Sequence, residues 1–96
     1  MFTYKAVYKF LDDGIHGEVL DFAGVITCGK TLDETSLLLS DALAEMAETN
    51  LHLGESLPKP NPNLSDTEAD LEEPIYLMLN ASVKVKIVSE LMYEAA

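Results

Sequence analysis

The sequence predicts an α+β domain, a βββαβ two-layer arrangement of one sheet and one main helix. Three observations carry this expectation. Apolar and polar residues alternate with period two near both ends of the chain, Asp-Gly and Gly steps separate the early runs, and a capped amphipathic stretch lies between them. Ninety-six residues suffice for one such domain and not two, so residues 1–96 are read as a single unit.

Met1 to Leu11 is the first expected strand. Phe2, Tyr4, Ala6, Tyr8 and Phe10 share one face and Thr3, Lys5 and Lys9 the other, with Val7 and Leu11 breaking the pattern. Asp12-Asp13-Gly14 supplies turn chemistry, and a second strand runs from Ile15 to about Phe22. Ala23-Gly24 punctuates it, and Val25 to Cys28 forms a short third strand closed by Gly29. A helix follows. Thr31 is its N-cap, and Glu34 stands at the capping-box spacing, where each side chain satisfies the other's backbone N–H. Thr35, Leu38, Leu39, Ala42, Leu43 and Met46 make an apolar stripe, with Leu37 and Ala44 left on the polar side. Asn50 to Gly54 ends the helix.

The run from Leu57 to Asn63 carries three prolines and is not a regular helix. Leu64 to Glu73 is acidic, either a short helix capped by Ser65 and Glu68 or a solvated linker, and Pro74 stops it. Residues 61–74 are thus expected to be a proline-rich, acidic linker, and 75–88 a C-terminal strand. There Ile75, Leu77, Leu79, Ala81, Val83, Val85 and Ile87 share one parity. That register suits one long strand or a hairpin turning at Asn80 to Ser82. Thirteen residues from Ile75 to Ile87 would span about 43 Å, longer than a domain of this size is wide. Ser89 to Ala96 has room for a turn or two of helix.

Composition narrows the function. Hydrophobic residues at 48% and charged residues at 24% exclude a disordered chain. Seventeen acids against six bases, all lysine, give a net charge of -11. Nucleic-acid recognition needs a positive field and leans on arginine's planar fork, so direct nucleic-acid binding is not expected. Acidity favours solubility and equally favours fast capture of basic partners. One cysteine, Cys28, excludes an internal disulfide framework. No apolar run reaches the roughly 18 residues of a membrane helix, and no secretory leader is visible at Met1. The expectation is a cytoplasmic protein with no membrane contact.

Little catalytic chemistry is legible. His16, His52 and Cys28 share no metal-ligand spacing, so no metal or other cofactor is expected. Cys28 lies beside Gly29 and Lys30, and a neighbouring lysine favours a thiolate, but buried structural cysteines are common and no base is identifiable. Asp12, Asp13, Glu18 and Asp21 cluster on the hairpin and are the candidate acids, with Asp12 and Asp13 already committed to a turn. Gly24 to Thr31 (GVITCGKT) matches the phosphate-binding G-x-x-x-x-G-K-[ST] pattern letter for letter. Its β-branched, apolar interior suits a strand running into a capped helix, not a loop whose amides wrap phosphate.

Several segments together resemble a known family. Tyr4 to Tyr8 (YKAVY), Asp12-Asp13-Gly14, Asp21 to Val25 (DFAGV), Thr27 to Glu34 (TCGKTLDE) and Gly54 to Pro60 (GESLPKP) are similar to the HicB-like antitoxin domain. Its pattern runs from a Y-x-A/V strand through D/E-D-G and D-L-P-G-C-x-T-x-G to T-L-E-E-A, a helix and G-x-x-L-P-x-P. The resemblance covers residues 1–60 best. It departs at Ala23, where the family usually has proline, and at Val25, where it often has cysteine. It implies a partial ribonuclease-H-like (HicB-like) fold without that fold's catalytic acids. It also implies an antitoxin that masks a small basic RNA-cleaving HicA-type toxin; the acidity of the hairpin makes Asp12, Asp13, Glu18 and Asp21 the partner-binding candidates. Many members carry a C-terminal operator-binding helical domain. Only eight residues follow Val88 here, so a stand-alone member without promoter binding is expected. The alternative is a small enzyme or ligand-binding domain using the acidic hairpin or Cys28. A small core and a long terminal strand further suggest a homodimer, with Ile75, Leu77, Val83, Val85 and Ile87 at its interface.

Overall fold

A computed structural model of the chain describes residues 1–78. Its elements are β1 (Phe2–Leu11), β2 (Gly14–Val19), β3 (Ile26–Gly29), α1 (Leu32–His52) and β4 (Leu71–Leu77). All three strand pairings are antiparallel, in the order β3-β2-β1-β4, and α1 packs on one face. The α+β expectation therefore holds.

The alternation in β1 explains why the helix lies where it does. Tyr4, Ala6 and Tyr8 are buried on the helix side, and their partners Val19, Gly17, Ile75 and Leu71 share that face. Phe2 and Phe10, at the strand ends, stay exposed. Thr35, Leu39, Leu43 and Ala47, each one helical turn from the last, meet this face. The buried stripe is thus rotated from the expected one: Ala47 joins it, and Leu38 sits at its margin. Phe22 and Val25, on the turn between β2 and β3, complete the cluster, with Phe22 edge-on to Tyr4 at 5.4 Å.

The start of α1 is fixed by its cap. Thr31 Oγ1 accepts from Glu34 N at 3.1 Å, as the spacing predicts. The Glu34 carboxylate takes the N–H of Lys30 (2.9 Å), one residue earlier than the usual box partner. Thr35 then returns its hydroxyl to Thr31 O at 2.8 Å and is fully buried against β3. Gly29 makes this approach possible: a Cβ there would stand 2.7 Å from Thr35 Oγ1 and 3.1 Å from Thr35 N. Neither atom is free to retreat. Gly29→Ala is expected to cost about 2 kcal/mol of stability in urea unfolding.

The proline-rich stretch forms no helix, as expected, and Tyr4 donates its phenol to Pro58 O at 2.7 Å. The acidic stretch is neither helix nor free linker. Asp66 closes a turn, accepting from Glu68 N (2.9 Å) and Ala69 N (3.1 Å). Lys5 Nζ donates to Pro62 O and Leu64 O, and Lys9 Nζ lies 3.6 Å from both Asp66 and Glu68. Because Lys5 and Lys9 point away from the helix, the segment straps the β1 half of the second face. Val7 shares that face and is buried.

β4 begins at Leu71, four residues before the strand expected at Ile75, and runs through Pro74. The hydrogen bonding explains the difference. Lys5 N donates to Asp21 and Lys5 O accepts from Leu20 N, so Lys5 turns its backbone toward β2. Pro74 is opposite Lys5, and its nitrogen therefore faces outward, where no ladder bond is lost. The remainder of the expected strand, the possible turn at Asn80 to Ser82 and the final helical turns lie outside the described residues.

Candidate protein-binding site

The four hairpin acids do not form one constellation. Asp12 and Asp13 are exposed at the β1–β2 turn, whereas Asp21 lies past the far end of β2. Six residues of strand between them span about 20 Å. Glu18 stands on the face away from the helix, opposite Val7 on one side and Ile26 on the other. Asp21 binds backbone amides: Oδ1 accepts from Lys5 N at 3.0 Å and Oδ2 from Asn61 N at 2.8 Å. It extends the β1–β2 ladder by one bond and ties the proline-rich segment to the sheet.

His16 and Cys28 are direct cross-strand partners on the same outer face, and Cys28 is an exposed free thiol. Among the described residues, no group of three or more His, Cys, Asp or Glu side chains is placed to hold a metal ion. The Gly24–Thr31 segment is a turn, a strand and a helix cap. Thr27 and Gly29 pair with β2, and the Lys30 amide is held by Glu34. No helix among the described residues is long and apolar enough to cross a membrane.

The dimer candidates divide. Ile75 and Leu77 bury their side chains in the protomer's own core and turn their backbone groups into β1, so neither faces outward from the described protomer. Val83, Val85 and Ile87 lie outside the described residues.

Among the described residues, two phenols respond to burial. Tyr8 is raised above its ordinary 10.0 first by burial and then by Glu73, whose carboxylate it meets at 3.1 Å; contact with Ser36 works the other way. Tyr4 is raised by burial and by the nearby charge of Asp21. A raised tyrosine pKa makes the fold hold protons that the unfolded chain has released. Stability is therefore expected to be level to about pH 9 and to fall as pH rises past 10, through the folded values. Urea midpoints across this range check it. The fall should be shallower in Tyr8→Phe, and a flat profile to about pH 11 would refute it.

Comparison with known proteins bears on the same segments. A family model described as UPF0150-like matches residues 4–58, from β1 through α1 to Pro58. The chain belongs to the UPF0150-like family. Its fold is similar to the N-terminal domain of the Burkholderia pseudomallei antitoxin HicB, with a TM-score of 0.70 at 19% identity. That match covers 81% of this chain and 100% of the HicB domain. A chain of a HicA3 and HicB3 toxin–antitoxin complex is similar over 65% of this chain and 72% of its own length. There the TM-score is 0.56 and the identity 24%. No curated protein matches. The UPF0150-like chain thus has a HicB-like fold, as the sequence resemblance implied. The feature that sequence reasoning missed is the outer edge of β3. Its signal was present but mute: a short run without charge or proline between Gly24 and Gly29.

Proposed function

We propose that this chain is a non-catalytic, antitoxin-type protein-binding module that masks a small basic RNA-cleaving toxin of the HicA kind. The observation that carries the proposal is the similarity to a chain of a HicA3 and HicB3 complex. The charge of -11 supports it. A toxin that grips RNA must present a positive face, and an acidic surface seated on that face excludes the RNA. The setting is the cytoplasm, without direct contact to nucleic acid. Asp12, Asp13 and Glu18 are the acids of the hairpin open to a partner, while Asp21 is committed to the backbone.

The test is co-expression with a small basic RNA-cleaving protein of the HicA kind. Expected results are a co-purifying complex and loss of RNA cleavage by that protein. The purified chain alone should neither cleave RNA nor shift its own promoter at near-physiological salt. Metal-dependent nuclease activity of the purified chain, or a sequence-specific shift, would overturn the reading. A homodimer using the segment from Ile75 to Ile87 belongs to the same proposal. Light scattering that shows a monomer would remove it, and a dimer indifferent to Val85→Asp would remove that segment from its interface.

A further inference from the structure

The two edges of the sheet are built differently. On β4 the outward positions are Glu72, Pro74 and Tyr76, and the proline removes the middle donor of an exposed edge. β3 has no such protection beyond its shortness, since Ile26–Gly29 contains neither proline nor charge. Val19 N donates to Val25 O at 3.0 Å, which sets the alternation along this strand. Val25, Thr27 and Gly29 turn their backbone groups into β2, and Ile26, Cys28 and Lys30 turn theirs outward. Glu34 Oε1 takes the Lys30 amide, which closes one end. Among the described residues, two consecutive outward stations remain, at Ile26 and Cys28, each with an N–H and a C=O.

The surroundings describe what would fit there. Ile26 is 52% exposed, on the part of the outer face beyond the strap held by Lys5 and Lys9. A cleft of about 460 Å³ opens at the Cys28–Lys30 end of this edge, beside the β1–β2 turn, with Asp13, His16, Cys28, Lys30 and Glu34 among its walls. Asp13 and Glu34 line the cleft against Lys30, Glu18 lies opposite Ile26, and Lys9 beside His16 is already paired with Asp66 and Glu68, so the rim is acidic.

We infer that the outer edge of β3 receives an extended, basic strand from a partner protein, which continues the sheet past Ile26 and Cys28. Main-chain bonds supply affinity in this mode, and the acidic rim selects a strand flanked by lysine or arginine. A second copy of this chain suits the site poorly, because pairing β3 with β3 would bring the same acids together. The inference rests on the antitoxin reading and names where the basic toxin would engage.

Amide hydrogen exchange on the full chain tests it, with a small basic toxin of the HicA kind, in an RNA-cleavage-dead form, as the probe. Protection is expected to rise at Ile26 and Cys28 on complex formation, with Thr27 and Gly29 already protected in the free chain. Ile26→Pro removes one outward donor and no internal ladder bond, and binding is expected to weaken about tenfold. A complex with protection only elsewhere would overturn this site and leave the toxin reading standing. Absence of any complex would overturn both. Protection at these amides that grows with the chain's own concentration would assign the edge to a second copy and overturn the inference.

Discussion

Asp21→Ala is expected to lower the unfolding free energy by about 3 kcal/mol, measured by urea denaturation. The carboxylate is half-buried and accepts from Lys5 N and Asn61 N, 16 and 40 residues away in sequence. Hydrogen bonds to a charged acceptor contribute roughly 1.5–3 kcal/mol each. Asn61 lies at the surface, where water can replace the lost acceptor, which keeps the total below the sum of two such bonds. The Lys5 amide is less accessible and suffers more. Asp21→Asn retains one acceptor oxygen and is expected to lose about half as much. The comparison also separates structure from binding. If Asp21 served a partner instead, the alanine variant would keep its urea midpoint and lose the complex.

The parts of the fold that were legible in sequence are those where one local signal dominates. The parity of Tyr4, Ala6 and Tyr8, the Asp-Gly turn and the Thr31–Glu34 cap each depend on residues within one turn or strand. Where long-range pairing decides, the sequence misleads. Pro74 reads as a stop, yet it is accommodated because β4 is an edge strand and its nitrogen faces outward. The acidic run after Leu64 reads as linker because its counter-charges, Lys5 and Lys9, lie some sixty residues earlier on the sheet. Asp21 reads as one of four clustered acids. Proximity in sequence hid the length of β2 between it and Asp13. The candidate site was legible only in its acidity: which acids are open, and which edge is unpaired, depends on the strand order.

The core prediction with the largest effect concerns three neighbouring leucines that composition cannot tell apart. Leu39 is completely buried against the sheet, whereas Leu38 is 38% and Leu37 65% exposed. Truncating a buried leucine removes transfer energy and leaves a cavity, for a loss of roughly 2–5 kcal/mol. The cavity at Leu39 would be walled by residues held from both sides. Leu43 is one turn away on the same helix, and Thr35, one turn back, is pinned by its bond to Thr31 O. Such a site collapses poorly. Leu39→Ala is expected to cost about 3 kcal/mol and to lower the thermal midpoint by about 15 °C. In a domain whose whole stability is of order 5–15 kcal/mol, that is a large fraction. Leu37→Ala, two residues away, is expected to stay within about 0.5 kcal/mol of the parent. Calorimetry of the two variants side by side tests the rotation of α1 on the sheet. A larger loss in Leu37→Ala than in Leu39→Ala would mean that Leu37, not Leu39, faces the core, equal losses would mean that both do, and either way the packing described for the helix would be wrong.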